Sequence, residues 1–319
     1  MEDNTPSVEE HVKEPVKPNF SYLDSVDCLL DNPPKILIGG TSCGGKSVSL
    51  RNIPEPETVL VLNCEDKEFP LFDGYHELRV YEARFAEEVV DFITEVKAGN
   101  LSMDDVLTYF LDENDAYASM GRPPYVAQRE LDVLLKMDFS TIKVIITDSI
   151  SFLMTKYHDN DIQTAEDTRA AWGDYAVYFR KYMAKLSKTG CINICTGHTE
   201  EAYNKKQMIT ETFVTIKGEN KKLGVEAFFT TVIHALRTLL DDYPPNYHND
   251  LFAPNAWERE RGVKYVYETF PGEFSNNPRL RSAPGLFKPN EGYINNDIGL
   301  VLARLAETRQ NRPNIFDTY

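Results

Sequence analysis

The chain has 319 residues, 42% of them hydrophobic, which is enough for one large α/β domain with insertions and excludes global disorder. With 50 acidic residues against 34 basic ones the formal net charge is −16, which opposes tight non-specific binding to duplex nucleic acid but leaves room for local basic loops. Five cysteines (Cys28, Cys43, Cys64, Cys191, Cys195) with no CxxC spacing argue against a disulfide framework or zinc ribbon. No apolar run approaches the ~18 residues of a transmembrane helix, and Met1–Asn4 shows no secretory signal, so a reducing cytoplasm is the expected setting.

Residues 1–20, polar and carrying Pro6, Pro15 and Pro18, read as a flexible arm. Lys35-Ile36-Leu37-Ile38 opens a short strand, followed by a glycine-rich loop and a short helix from about Lys46 that stops before Pro54. Val59–Leu62 is a second strand leading to Asn63-Cys64-Glu65-Asp66, and Glu77–Tyr81 a third. The spacing of Phe85, Val89, Phe92, Ile93 and Val96 predicts a helix over 84–98. Residues 101–139 are acidic and partly helical, broken by Gly121-Arg122-Pro123-Pro124, and read as an insertion. Val144-Ile145-Ile146 is a buried strand ending at Thr147-Asp148. Trp172, Ala176, Phe179, Met183 and Leu186 mark a helix over 165–188, closed by Gly190.

Cys191–Thr196 is the fifth strand and leads to Gly197-His198. Residues 199–212 have few apolar anchors and read as a mobile loop. Further strands are expected at 213–216, 231–237 and 264–269, and a last helix at 296–308. Strands alternating with helices predict an α/β fold whose mostly parallel sheet is flanked by helices, with antiparallel edge strands later in the chain. The expected organisation is an arm (1–20), a core (21–240) and a C-terminal extension (241–319).

The glycine-rich loop is Gly40-Thr41-Ser42-Cys43-Gly44-Gly45-Lys46-Ser47, a full match to G-x-x-x-x-G-K-[ST]. Its glycines let main-chain N–H groups turn inward on a phosphate, Lys46 places an ammonium on the β/γ oxygens of ATP, and Ser47 offers its hydroxyl to Mg2+. Such a loop needs a carboxylate on a neighbouring strand to hold the metal's water shell. Asp148 follows three β-branched residues and is the candidate; the alternative is an N-cap of the next helix. Glu65 is placed to orient the attacking water, in competition with Asp66 and Glu68; the alternative is a solvated charged turn. His198 is a candidate sensor of the γ-phosphate; the alternative is an ordinary loop histidine, and no other His or Cys clusters with it in sequence, which argues against a metal site.

The order of these segments, ending with Thr196-Gly197-His198 and joined by Trp172-Gly173, resembles the RecA-like P-loop ATPases over roughly residues 35–240. Within them it is most similar to the phage nucleotide-binding proteins related to RecA and Rad-type recombinases that work in single-strand annealing and recombination. The resemblance implies ATP hydrolysis with Lys46 and Ser47 on nucleotide and magnesium, Asp148 as the second-motif acid, Glu65 as catalytic glutamate and His198 at the sensor position. It further implies a homo-oligomer whose loops after Asp148 and His198 face single-stranded DNA. The insertion, the C-terminal extension and the acidic balance depart from its pattern.

Tyr203, Lys205, Lys206, Lys217, Lys221 and Lys222 form a basic, partly aromatic stretch that either tracks a single strand or is a solvated surface. Lys217, Lys221, Lys222 and Arg237 are alternatives for a cation acting on a neighbouring subunit's γ-phosphate. Trp172, Tyr175 and Phe179 read as core. The rival readings are a helicase or packaging motor of the same fold, and a nucleotide-binding regulatory protein with little hydrolysis.

Overall fold

The computed structural model describes residues 21–65, 67–69, 73–206, 208–217, 224–243, 247, 249–271 and 277–311; the expected arm, Asp66, Lys221 and Lys222 lie outside them. Nine strands run β1 (Lys35–Gly40), β2 (Val59–Asn63), β3 (His76–Arg79), β4 (Val144–Asp148), β5 (Ile192–Asn204), β6 (Ile209–Val214), β7 (Thr231–Leu239), β8 (Val263–Glu268) and β9 (Tyr293–Asn295). The helices are α1 (Ala83–Lys97), α2 (Met103–Ser119), α3 (Gln128–Leu134), α4 (Ile150–Tyr157), α5 (Thr168–Lys188), α6 (Ala256–Arg261) and α7 (Ile298–Gln310). The sheet order is β3-β2-β4-β5-β1-β7-β8-β9, with β6 paired to β5. Strands β3 through β7 in that order are parallel, whereas β8, β9 and β6 are antiparallel additions. This is the expected mixed α/β architecture.

Strand alternation explains why helices cover both faces. Leu37, Leu60, Leu62, Ile145 and Cys195 pack on one side with α1, α2, α3 and α5. Ile36, Ile38, Val59, Val61, Val144, Ile146, Ile192 and Ile194 pack on the other with α7. A strand apolar at both parities cannot leave either face wet, so it must be buried on both. Residues 101–139 join the first layer through Val106, Phe110, Tyr125 and Leu131. Ser102 and Asp105 form a capping box at the start of α2, and the Asp167 carboxylate accepts from the N–H of Arg169 and Ala170 to start α5. Cys191 and Cys195 are free thiols buried in the core. Among the described residues no helix is long and apolar enough to cross a membrane.

Three expectations fail. The helix after the glycine-rich loop is a single 3-10 turn, Val48–Leu50. Arg51 is already extended and Asn52 is left-handed (φ 61°), and the residue before Pro54 is biased away from helix, so there is no room for a second turn. Residues 199–204 and 209–212 are strand rather than loop. They are the outer half of β5 and most of β6, a hairpin in register from Thr199 opposite Val214 to Asn204 opposite Ile209. Backbone pairing holds this hairpin, along with bonds from Asn277 and Arg279 to Thr212 and Glu211, so it needs few apolar side chains. Trp172 is 36% exposed and lies against His158 and Tyr175, whereas Tyr175 and Phe179 are core.

His234 on β7 is buried beside Asn277, with its Nε2 unpartnered among the described residues, and burial lowers its pKa from 6.5 to about 4. The unfolded chain takes up this proton near pH 6.5 and the folded one only near 4. The stability that neutral His234 contributes is therefore complete above the upper value and lost as pH falls through the lower. The gap corresponds to ~3 kcal/mol. Urea unfolding of wild type and His234→Leu should show the wild type losing on the order of 2–3 kcal/mol more between pH 7 and 4. Parallel curves would mean that the folded and unfolded chains take up this proton at the same pH.

Candidate active site

The carboxyl ends of β1, β2, β4 and β5 meet at one edge of the sheet, the usual position of a site in open α/β folds. There the loop 40–47 turns off β1. It backs directly onto β7: a Cβ at Gly40 or Gly44 would come within 2.6 or 2.8 Å of the Ala235 carbonyl oxygen. Gly45 has φ 90°, a conformation that side chains disfavour. The main-chain N–H groups of Gly45, Lys46 and Ser47 take no acceptor among the described residues, so three consecutive donors are available to an anion. The short turn that follows is no full helix, so these amides, rather than a helix dipole, supply the positive potential.

Lys46 is buried and its Nζ bridges the loop, donating to the carbonyls of Gly40 and Thr41 at 2.9 Å each. An ammonium has three donors, so one remains for a phosphate oxygen. Burial pulls its pKa below the ordinary lysine range, while the carboxylates of Asp148 and Glu65 oppose the shift. The Ser47 hydroxyl donates to Asp148 Oδ2 at 2.7 Å, and the Thr196 hydroxyl donates to Asp148 Oδ1. Asp148 is 1% exposed. Burial raises its pKa and Glu65 adds to the rise, against the hydrogen bonds from Thr196 and Ser47. The N-cap of α4 is Ser149, so the alternative helix-capping role for Asp148 is not the one observed.

Glu65 is 5% exposed, which removes the solvated-turn alternative; Glu68 is exposed, and Asp66 lies outside the described residues. Its N–H donates to Asn63 Oδ1 at 3.1 Å, its Oε1 lies 3.3 Å from His198 Nε2, and its Oε2 pairs with Lys67. Burial acts to raise its pKa, but the contacts with His198 and Lys67 prevail and bring it down to about 2. The His198 ring also meets Phe152 edge to face. Sequence reading missed Lys67 and Thr196. Thr196 stands two residues before His198 on the strand between β1 and β4, and that parity was the available signal.

Thr41, Ser42 and Cys43 are exposed at the mouth of the loop. Among the described residues no group of three or more His, Cys, Asp or Glu could cage a metal. The Ser47–Asp148 oxygen pair instead suits a cation such as Mg2+, which keeps most of its waters and takes the rest of its shell from phosphates. Unpaired amides, a lysine with a donor to spare and a hard-oxygen pair together fit a nucleoside triphosphate with its magnesium.

No curated protein matches the chain. The AAA domain family matches residues 32–250, a span that contains the loop, Glu65, Asp148 and His198. With this phosphate loop at the edge of a mostly parallel sheet inside that span, the chain belongs to the AAA domain family of nucleotide-binding P-loop ATPases.

Proposed function

We propose that the chain is a magnesium-dependent ATPase whose turnover is coupled to single-stranded DNA in recombination or annealing, as in the RecA-like phage proteins it resembles. The observation that carries this reading is the continuity of β5. Thr196, bonded to Asp148, and His198, in contact with Glu65, lie on the same strand that runs out to Tyr203 at the tip of the β5–β6 hairpin. A change in the contact between Glu65 and His198 is thereby passed along β5 to a surface carrying Tyr203, 58% exposed, and exposed Lys205 and Lys206. Aromatic and basic side chains in this combination suit stacking on bases and contact with phosphates.

In this reading the free amides of 45–47 and Lys46 hold the phosphates, and Ser47 and Asp148 supply the protein oxygens for magnesium. Glu65 orients the attacking water and accepts its proton, and His198 reports on the γ-phosphate. Magnesium, when bound, neutralises charge that develops on the transferring group. A second copy of the chain is the expected source of a further cation. Arg237 is exposed on β7, and Lys217 is exposed near His158; both remain alternatives for that role.

Steady-state ATP turnover, measured with and without single-stranded DNA at two salt concentrations, tests the coupling. Several-fold stimulation is expected, weaker at high salt and lost in a Lys205→Ala, Lys206→Ala double variant. Turnover indifferent to DNA rejects the coupling. Unwinding of duplex would mark a motor instead, and tight ATP binding without phosphate release a regulatory protein.

A further inference from the structure

A cavity of about 680 Å³ opens beside the phosphate loop, within the ~300–1,000 Å³ range of small-molecule sites. One wall is the loop and its turn, including Gly45 and Arg51; the other is Trp257 of α6, Lys264 and Tyr265 of β8, and Asn296 after β9. These latter residues lie beyond the span matched by the AAA domain family. We propose that this cavity receives the nucleoside, sugar and base together, of the nucleotide whose phosphates loop 40–47 holds, so that the C-terminal extension completes the binding site. The inference rests on the nucleotide reading of that loop.

Gly45 belongs to both the anion-binding loop and the cavity wall, so a ligand held by its phosphates has its remaining part directed to this space or to solvent. Trp257 and Tyr265 stand with ring centroids 6.3 Å apart and planes 30° from parallel, and Trp257 is 47% exposed although it is a large aromatic. The Arg261 guanidinium lies 4.9 Å over the Trp257 ring and fixes its orientation. An aromatic pair of this kind, open to a cavity, suits a base, which has a π-face whatever its identity.

The polar groups narrow the choice further. Lys264 is buried and spent on Glu258, with contacts of 2.9 and 3.1 Å, so the wall offers no unpaired buried cation for a second phosphate. Asn296 is buried and its Nδ2 donates to the carbonyls of Gly44 and Gly45 at 3.3 and 3.4 Å, which sets the orientation of the amide. Its Oδ1 has no partner among the described residues. A buried, unpaired acceptor next to the loop calls for an N–H or O–H donor, which a sugar hydroxyl or an exocyclic amine provides and inorganic polyphosphate does not.

The test uses the full chain carrying Trp172→Phe, which leaves Trp257 as the single tryptophan of the two. ATP and inorganic tripolyphosphate are titrated in the presence of Mg2+, with Trp257 emission and calorimetry as readouts. ATP should change the emission and bind more tightly than tripolyphosphate, which should bind with emission unchanged. Trp257→Ala should weaken ATP about tenfold while leaving tripolyphosphate affinity within twofold. Equal affinities for the two ligands, with no effect of Trp257→Ala on ATP, would overturn the inference and leave the phosphate loop intact. Failure of both ligands to bind would overturn the nucleotide reading, and this inference with it.

Discussion

Lys46→Ala is expected to lower ATP turnover roughly 10²–10³-fold, the range found when one preorganised donor to developing negative charge is removed. Lys46 is suited to so large an effect because burial removes competing water and its ammonium is already held across the loop by the carbonyls of Gly40 and Thr41. Desolvation lowers its pKa while Asp148 and Glu65 work to keep the proton, so the cation is supported from the opposite side of the site. Nucleotide affinity should fall as well, because the same donor meets ground-state phosphate. Phosphate release by the purified variant at saturating ATP and Mg2+ is the measurement, with a thermal melt to establish that the loop change leaves the fold in place. An unchanged rate would take Lys46 out of the reaction.

Glu65→Gln should separate chemistry from binding. The amide keeps the size of the side chain and can still bond to neighbours, but it cannot take a proton from water. A general base contributes typically ~10²–10⁴-fold, so kcat should fall by that order while the Kd for ATP stays within a few-fold. Because contacts with His198 and Lys67 outweigh burial and bring its pKa to about 2, Glu65 is ionised throughout the neutral range. An acid limb in kcat/KM between pH 5 and 7 therefore has to come from another group. Comparable kcat in wild type and Glu65→Gln would assign the water-orienting role elsewhere. A large drop in ATP affinity with kcat preserved would make Glu65 a binding residue.

The phosphate loop was legible because its function is local: eight consecutive residues carry the glycines, the lysine and the hydroxyl, and the apolar strand before them sets their position. The core strands were legible for a related reason. Ile36–Ile38, Val59–Leu62 and Val144–Ile146 are apolar at both parities, and only a sheet covered on both faces accommodates that. Asp148 and Glu65 could be picked out as strand-end carboxylates. Ser47 and His198 could be named as well, but not their direct contacts, since Ser47 and Asp148 are 101 residues apart and Glu65 and His198 are 133 apart.

What the tertiary structure decided lies where pairing or distant contact outweighs local pattern. The strand Thr199–Asn204 is polar on both sides and reads as loop. Its main-chain groups bond to β6, and such bonds leave no trace in hydropathy. The turn Val48–Leu50 is cut short by a left-handed Asn52 and the nearby Pro54, although glycine-lysine-serine before it promises a helix. The cavity wall formed by Trp257, Tyr265 and Asn296 comes from a segment that had no assigned purpose in sequence. It reaches the loop through an amide 252 residues away from the carbonyl it supports. Local chemistry thus specified where an anion can be held. Long-range folding decided what borders that site, because it alone sets Trp257 and Tyr265 around the cavity beside the loop and brings the Asn296 amide within bonding distance of the Gly44 and Gly45 carbonyls.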